Sequence, residues 1–179
     1  MTNFVIEKAG SRRDLSLLAR LYEEVLAASP NVLPESPGDL EPSEVFVAVT
    51  PLGKLLGGLT LSRNNLGTQQ VVQSIGMPAA IRWAHEYTLL SHLAVHPNYQ
   101  GQGVGTALLK HAIQATRNAG GLLLFGFAEE HNGRASASFY EKHSFTLRPD
   151  WEDGFEIGGF SYISPVKRTG TYFAFEVTP

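Results

Sequence analysis

The residues best able to do chemistry lie in "HPNYQGQGVGTALL", from His96 to Leu109. Gly101, Gly103 and Gly105 alternate between an apolar run that stops at Pro97 and a helix-like pattern. Backbone N–H groups in the first turn of a helix have no intrahelical acceptor, and the helix dipole adds partial positive charge there. Glycines let an anion come close to that backbone. The chemistry this spacing suggests is phosphate binding. A dinucleotide fingerprint starting at Gly101 needs a glycine where Thr106 stands, and an acidic residue about 20 positions on, where the chain reads "GGLLLFG". The Walker pattern needs Gly-Lys-Ser/Thr, which does not occur. The pattern Gln/Arg-x-x-Gly-x-Gly/Ala is matched in full by Gln100, Gly103 and Gly105.

Other reactive side chains lie on either side. Tyr140 sits in "FYEK" and Glu129 just past the apolar run "LLLFGFA". On a strand running from His85, period-two alternation puts His85, Tyr87, Leu89 and Ser91 on one face. Glu86, Thr88, Leu90 and His92 then take the other. His85 and Tyr87 are thereby candidates to line an acceptor cleft, and Glu129 is a candidate base. His92 and His96 would stand about 13 Å apart along a strand, too far to share an ion with ligands near ~2 Å. No metal is expected.

These residues need elements to position them. "FVIEKA" reads as a strand, and Ser11 with Asp14 caps an amphipathic helix carrying Leu15, Leu18, Tyr22 and Val25 on one stripe. The runs Glu44–Pro51 and Lys54–Asn64 read as a hairpin, and Asn65–Ala80 as an irregular connection. His85–Pro97 reads as a strand and Gly103–Asn118 as a helix stopped by Ala119-Gly120-Gly121. "LLLFGFA" reads as a buried strand, Asn132–Lys142 as a second helix, and "FTLRP" and "TYFAFEVT" as strands. Asp150–Gly170 fits no regular pattern. This order gives an α/β fold with a mixed sheet in one domain spanning residues 1–179.

Composition narrows the function. The 179 residues are 43% hydrophobic and 17% charged, an ordinary globular balance. A net charge of −3 offers no field for nucleic acid. The absence of cysteine removes disulfides, thiolate metal sites and a cysteine nucleophile. "MTNFVIEKAG" has no signal-peptide pattern, and the longest apolar stretch is too short for a bilayer. A cytoplasmic protein with no membrane partner is expected.

Over Leu89 to Phe145 the sequence resembles the GNAT superfamily of N-acetyltransferases. The likeness rests on the strand–turn–helix segment "LSHLAVHPNYQGQGVGTALLKHAI" and on "NGRASASFYEKHSF". It implies an α+β acyl-CoA N-acyltransferase fold: a mixed, mostly antiparallel sheet, splayed parallel strands at the cofactor site and helices on both faces. It implies acetyl-CoA as cosubstrate, with its pyrophosphate on the N–H groups of Gln100, Gly101, Gln102, Gly103, Val104, Gly105 and Thr106. Leu93 and Val95 would offer backbone groups to the pantetheine arm, and an N–H at Leu93 or Ala94 would polarise the thioester carbonyl. Asn132 would contact the cofactor, and Tyr140 would protonate the departing thiolate. Members that carry a base on the strand place it at positions matching Leu89 or Ser91, and Ser91 can at most hold a water. Asn132 lies one residue further from Tyr140 than is usual, and Ser144-Phe145 replaces the usual Gly-Phe.

The reaction implied is acetyl transfer to a primary amine of a small molecule or peptide. The alternative is an acyl-CoA-binding module of the same fold with little catalysis, favoured by the missing strand base. Arylalkylamines, polyamines, aminoglycosides, amino acids and protein N-termini all fit as acceptors. "DWEDGFEIGGFSYISPVKRTG" supplies aromatic faces, Trp151 among them, and carboxylates that suit a cationic amine. Many members of the superfamily dimerise, so a homodimer is compatible with the resemblance.

Overall fold

A computed structural model describes residues 3–29, 32–33, 36–37, 43–63, 77–131, 134–135, 137–151, 154–157, 160–162 and 169–177. In chain order the elements are β1 (Val5–Lys8), α1 (Arg12–Leu26), β2 (Ser43–Val49), β3 (Leu55–Ser62), α2 (Met77–Glu86), β4 (Tyr87–Val95) and α3 (Val104–Asn118). They continue with β5 (Leu123–His131), β6 (Arg134–Ala135), α4 (Ala137–Glu141), β7 (Thr146–Arg148), β8 (Phe155–Ile157), β9 (Phe160–Tyr162) and β10 (Gly170–Glu176). Two compact units result, one of residues 1–62 and 90–114, the other of residues 63–89 and 115–179. β4 belongs to both.

In the first unit the strand order is β1-β2-β3-β4. β1–β2 and β2–β3 are antiparallel. β4 is antiparallel to β3, because His96 N–H meets Leu56 O at 2.9 Å at one end and Ser62 meets Ser91 at the other. α1 is locked at its start by a reciprocal cap: Ser11 Oγ accepts from Asp14 N–H at 3.1 Å, and Ser11 N–H donates to Asp14 Oδ2 at 3.0 Å. Its buried stripe, Leu15, Leu18, Leu21 and Tyr22, packs on Val45, Val47 and Val49 of β2. The opposite sheet face meets α3, where Phe46 touches His111 edge-on at 4.5 Å. Two covered faces explain why β2 and β3 read as unbroken apolar runs rather than as alternation.

In the second unit the order is β4-β5-β10-β7, with β6 folded back on the end of β5. β10 is antiparallel to both β5 and β7. β4 and β5 start together, Leu122 N–H meeting Glu86 O at 2.7 Å, and α3 lies between them in the chain. That is a parallel pair joined by a helical crossover. The core here is aromatic: Trp83, Tyr87, Phe125, Trp151 and Tyr172 pack together with Leu123 and Ala174. β8 and β9 form a separate hairpin within 150–170. No helix among the described residues is long and apolar enough to cross a membrane.

Three expectations change. Met77–Glu86 is a helix, so His85 is not on the strand. β5 runs on to His131, so Glu129 lies within it rather than past it. The helix expected over 132–142 is confined to Ala137–Glu141, and Arg134–Ala135 pair with Glu130–His131 as a strand.

Candidate active site

The turn between β4 and α3 is built by its own backbone. Tyr99 N–H bonds to His96 O at 2.8 Å, and Asn98 N–H bonds to His96 Nδ1 at 3.2 Å. Gln100 Nε2 reaches back to Val95 O at 3.1 Å, and Gln102 Nε2 to Asn98 O at 2.9 Å. Gly101 and Gly103 have φ of 73° and 85°, a region that side chains disfavour, and a Cβ at either would meet nothing within 4 Å. The turn is therefore open at its glycines. Ala107 N–H makes the first α3 bond, to Gly103 O at 3.0 Å. The N–H groups of Val104 and Gly105 precede it and have no acceptor within the helix. Val104 is buried at the N-terminus and anchors it.

Part of the turn is engaged with itself. Gln100 N–H donates to Pro97 O at 3.3 Å, and the side chains of Gln100 and Gln102 brace the turn. On β4, His96 N–H points at β3, so alternation turns the main-chain groups of Ala94 towards β3 and those of Leu93 and Val95 away from it. Between Leu93 and Ala94, the outward N–H is that of Leu93. Val95 O already accepts from Gln100.

β4 breaks its alternation at Ser91. Val45 and Val47 face α1, so Ser43 and its register partner Ser62 face α1 as well. Ser91 Oγ lies 2.9 Å from Ser62 Oγ, which puts Ser91 on that face. His92 stacks on Tyr22 of α1 with ring centroids 5.0 Å apart, and Ala94 joins the same core. Two consecutive residues thus face one side, the signature of one extra residue in the strand. The expected opposition of Ser91 and His92 is corrected: the kink brings both to the α1 face.

Tyr140 lies on α4 with its ring stacked on Phe173 at 3.6 Å and 12°, and with Phe139 and Phe145 edge-on. Burial raises its pKa well above the usual phenol value, because the phenolate would lose its hydration. It holds its proton at neutral pH. The turn that ends α4 bonds Phe145 N–H to Tyr140 O and Ser144 N–H to Glu141 O, with Ser144 left-handed at φ 67°. This is the conformation that the family's glycine would favour.

The three acceptor candidates do not converge. His85 is exposed at the end of α2. Tyr87 is buried against Trp83, ring centroids 4.6 Å apart, and desolvation raises its pKa, with Glu86 adding to the effect. β4 and β5 start side by side, so Glu129 lies about 20 Å of strand beyond the level of Tyr87. Trp151 is buried, and the Arg148 guanidinium covers its ring at 4.4 Å, so a cation of the chain itself already occupies that aromatic face. Asn132 and the side chains of Phe155, Phe160 and Tyr162 lie outside the described residues.

The order of strands around a glycine turn that opens α3 is that of the acyl-CoA N-acyltransferase fold. Residues 41–147 match the family of the acetyltransferase (GNAT) domain, and the chain belongs to that family. Solved structures agree in fold. Ard1 from Thermoplasma volcanium superposes with TM-score 0.64 at 15% identity, covering 98% of this chain and 99% of that one. An aminoglycoside 6′-N-acetyltransferase complexed with coenzyme A gives 0.63 at 12%, covering 98% of each chain. A GNAT family acetyltransferase from Elizabethkingia anophelis with acetyl-CoA bound gives 0.53 at 18%, covering 98% and 99%. No curated protein matches the sequence.

Proposed function

We propose that the chain is an N-acetyltransferase that moves the acetyl group of acetyl-CoA onto a primary amine of a small molecule or peptide by direct attack, in the cytoplasm. The observation that carries this reading is the turn. Two left-handed glycines, with open space where side chains would stand, lead into the first turn of α3, inside the segment that matches the family. In this reading acetyl-CoA supplies the activated thioester. The backbone from Gly101 to Gly105 holds the pyrophosphate on N–H groups and helix dipole. The outward Leu93 N–H polarises the thioester carbonyl. Tyr140 donates its proton to the departing thiolate; burial keeps it protonated at neutral pH, and the same desolvation makes a thiolate formed beside it a stronger base. The amine arrives mostly as ammonium, with a pKa near ~10.4, and loses its proton to water. Ser91 stands where some family members place a base, and a serine hydroxyl is none.

The test is release of free CoA thiol with a panel of amines, in wild type and Tyr140→Phe. The variant should lose roughly 10²–10⁴ in kcat, the usual size of a general-acid contribution, with acetyl-CoA affinity unchanged. The raised pKa leaves the proton in place below pH ~10, so Tyr140 contributes no alkaline fall in rate below that pH. Tight acetyl-CoA binding without turnover on any amine would replace the enzyme by an acyl-CoA-binding module.

A further inference from the structure

A cavity of about 420 Å³ opens beside α1, and all its walls belong to the first unit. One wall is a side of α1. Arg13, Leu17, Arg20 and Glu24 follow at steps of four, three and four residues, so they form one stripe along the helix. The facing wall is the turn between β2 and β3, with Lys54 and Leu55. Leu52, at the tip of that turn, is 97% exposed at the rim. His96, just past the end of β4, completes the lining.

The charge of the cavity runs against that of the chain. The chain carries −3, whereas the cavity sets Arg13, Arg20 and Lys54 against Glu24 alone. Among the described residues the ion pairs are Lys8–Glu44, Arg82–Glu86 and Arg148–Asp150, and none of the three cavity cations is in one. His96 adds a neutral donor. Its Nδ1 accepts from Asn98 N–H at 3.2 Å, so the ring proton is on Nε2. Below these groups the surface is apolar: Leu21 is buried, and Leu17 and Leu55 are half-buried. Cations of one sign in a concave site with low-dielectric walls focus their field and draw in an anion. The guanidinium forks match carboxylate and phosphate alike. The leucines take an apolar body. Glu24, at the far end of the stripe, repels a second anionic group. The volume is that of a small-molecule site.

The cavity is separate from the face of β4 that looks towards β5. The main-chain groups of Leu93 point away from β3, while the cavity lies on the side of β3 and α1. No passage runs between the two strands at mid-length, where a Cβ on Gly57 would come 2.6 Å from Ala94 O. We propose that this cavity is a second ligand site, for a small organic anion with one carboxylate or phosphate on an apolar body, held by Arg13, Arg20 and Lys54 over Leu17, Leu21 and Leu55. The site stands independently of the acetyl-transfer reading.

Calorimetric titration of the full chain with phenyl phosphate, phenylbutyrate, inorganic phosphate and phenylbutanol tests it, with and without saturating acetyl-CoA. At least one of the two organic anions should bind at one per chain. It should bind about tenfold more tightly than inorganic phosphate or the alcohol, which each lack one half of the ligand. Arg13→Gln, Arg20→Gln and Lys54→Gln should each weaken that binding about tenfold, and Glu24→Gln should strengthen it about threefold. Arg12→Gln, exposed on the same helix but outside the cavity, should leave it unchanged. All five substituted side chains are exposed, so the variants should keep the wild-type thermal midpoint. Saturating acetyl-CoA should leave the affinity for the anion unchanged. Absence of saturable binding by both organic anions overturns the site. Equal losses in Arg12→Gln and Arg20→Gln also overturn it, since they mark a general effect of charge. Inorganic phosphate binding as tightly as the organic anions overturns the ligand class. Displacement of the anion by acetyl-CoA overturns the second site, because the cavity is then part of the cofactor's own.

Discussion

Glycine serves opposite purposes in β3 and in the turn before α3. At Gly57 a Cβ would come 2.6 Å from Ala94 O and 3.3 Å from Leu108 Cδ1. At Gly58 it would come 2.6 Å from Leu18 Cδ1 and 2.8 Å from Phe46 O. These two residues lack side chains because helices press on both faces of the strand. At Gly101 and Gly103 nothing lies within 4 Å, and the backbone is left-handed. There the missing side chains leave open room at the helix start. The difference teaches that a glycine needed by packing and one needed by a left-handed backbone are told apart by the space around them and by φ.

Substitutions can break or sharpen that contrast. The largest effect is expected at Gly57→Ala. Its clash is with backbone, which cannot rotate away, so the variant should lose about 3 kcal/mol, the upper range for overpacking. Urea unfolding reads this, and an unchanged midpoint would refute the packing role. Gly103→Ala should cost about 1–2 kcal/mol from the left-handed backbone and also weaken acetyl-CoA binding about tenfold or more. Gly53→Ala is the control: it has φ 74° and open space at the β2–β3 turn, so it carries the backbone cost alone. Calorimetric titration of both variants separates ligand from backbone, and equal acetyl-CoA affinities would remove the turn from the binding site. The smallest effect is a gain. Ser144→Gly relieves a left-handed serine and should stabilise by about 0.5 kcal/mol, seen as a small rise in thermal midpoint.

Much of the fold is legible where the signals are local. The cap at Ser11 and Asp14, the stripe of α1, the hairpin turn at Gly53 and the glycine turn each depend on residues within a few positions of one another. The missed helix α2 also had such a signal. "MPAAIRWAHE" has a proline in its first turn, three alanines, and Trp83 placed to meet Tyr87 four residues on. The run of apolar and β-prone residues in β4 continues the strand pattern back towards His85 and masks the junction at Glu86–Tyr87. Glu129 lies within β5 for a different reason. β5 continues beyond its apolar stretch because β6 and β10 pair with its polar end, a long-range contact without local pattern.

The sequence by itself determined the family, the order of the main elements, the glycine turn before α3 and the position of Tyr140 on a helix. All of these are written in short-range spacing, because capping, turn conformation and helical periodicity are local properties of the backbone. Only the tertiary structure decided which side of β4 each residue takes. One extra residue in a strand reverses every face after it, and whether it is tolerated depends on β3 and α1 rather than on β4's own residues. That reversal stacks His92 on Tyr22, on the same face where Ser91 meets Ser62.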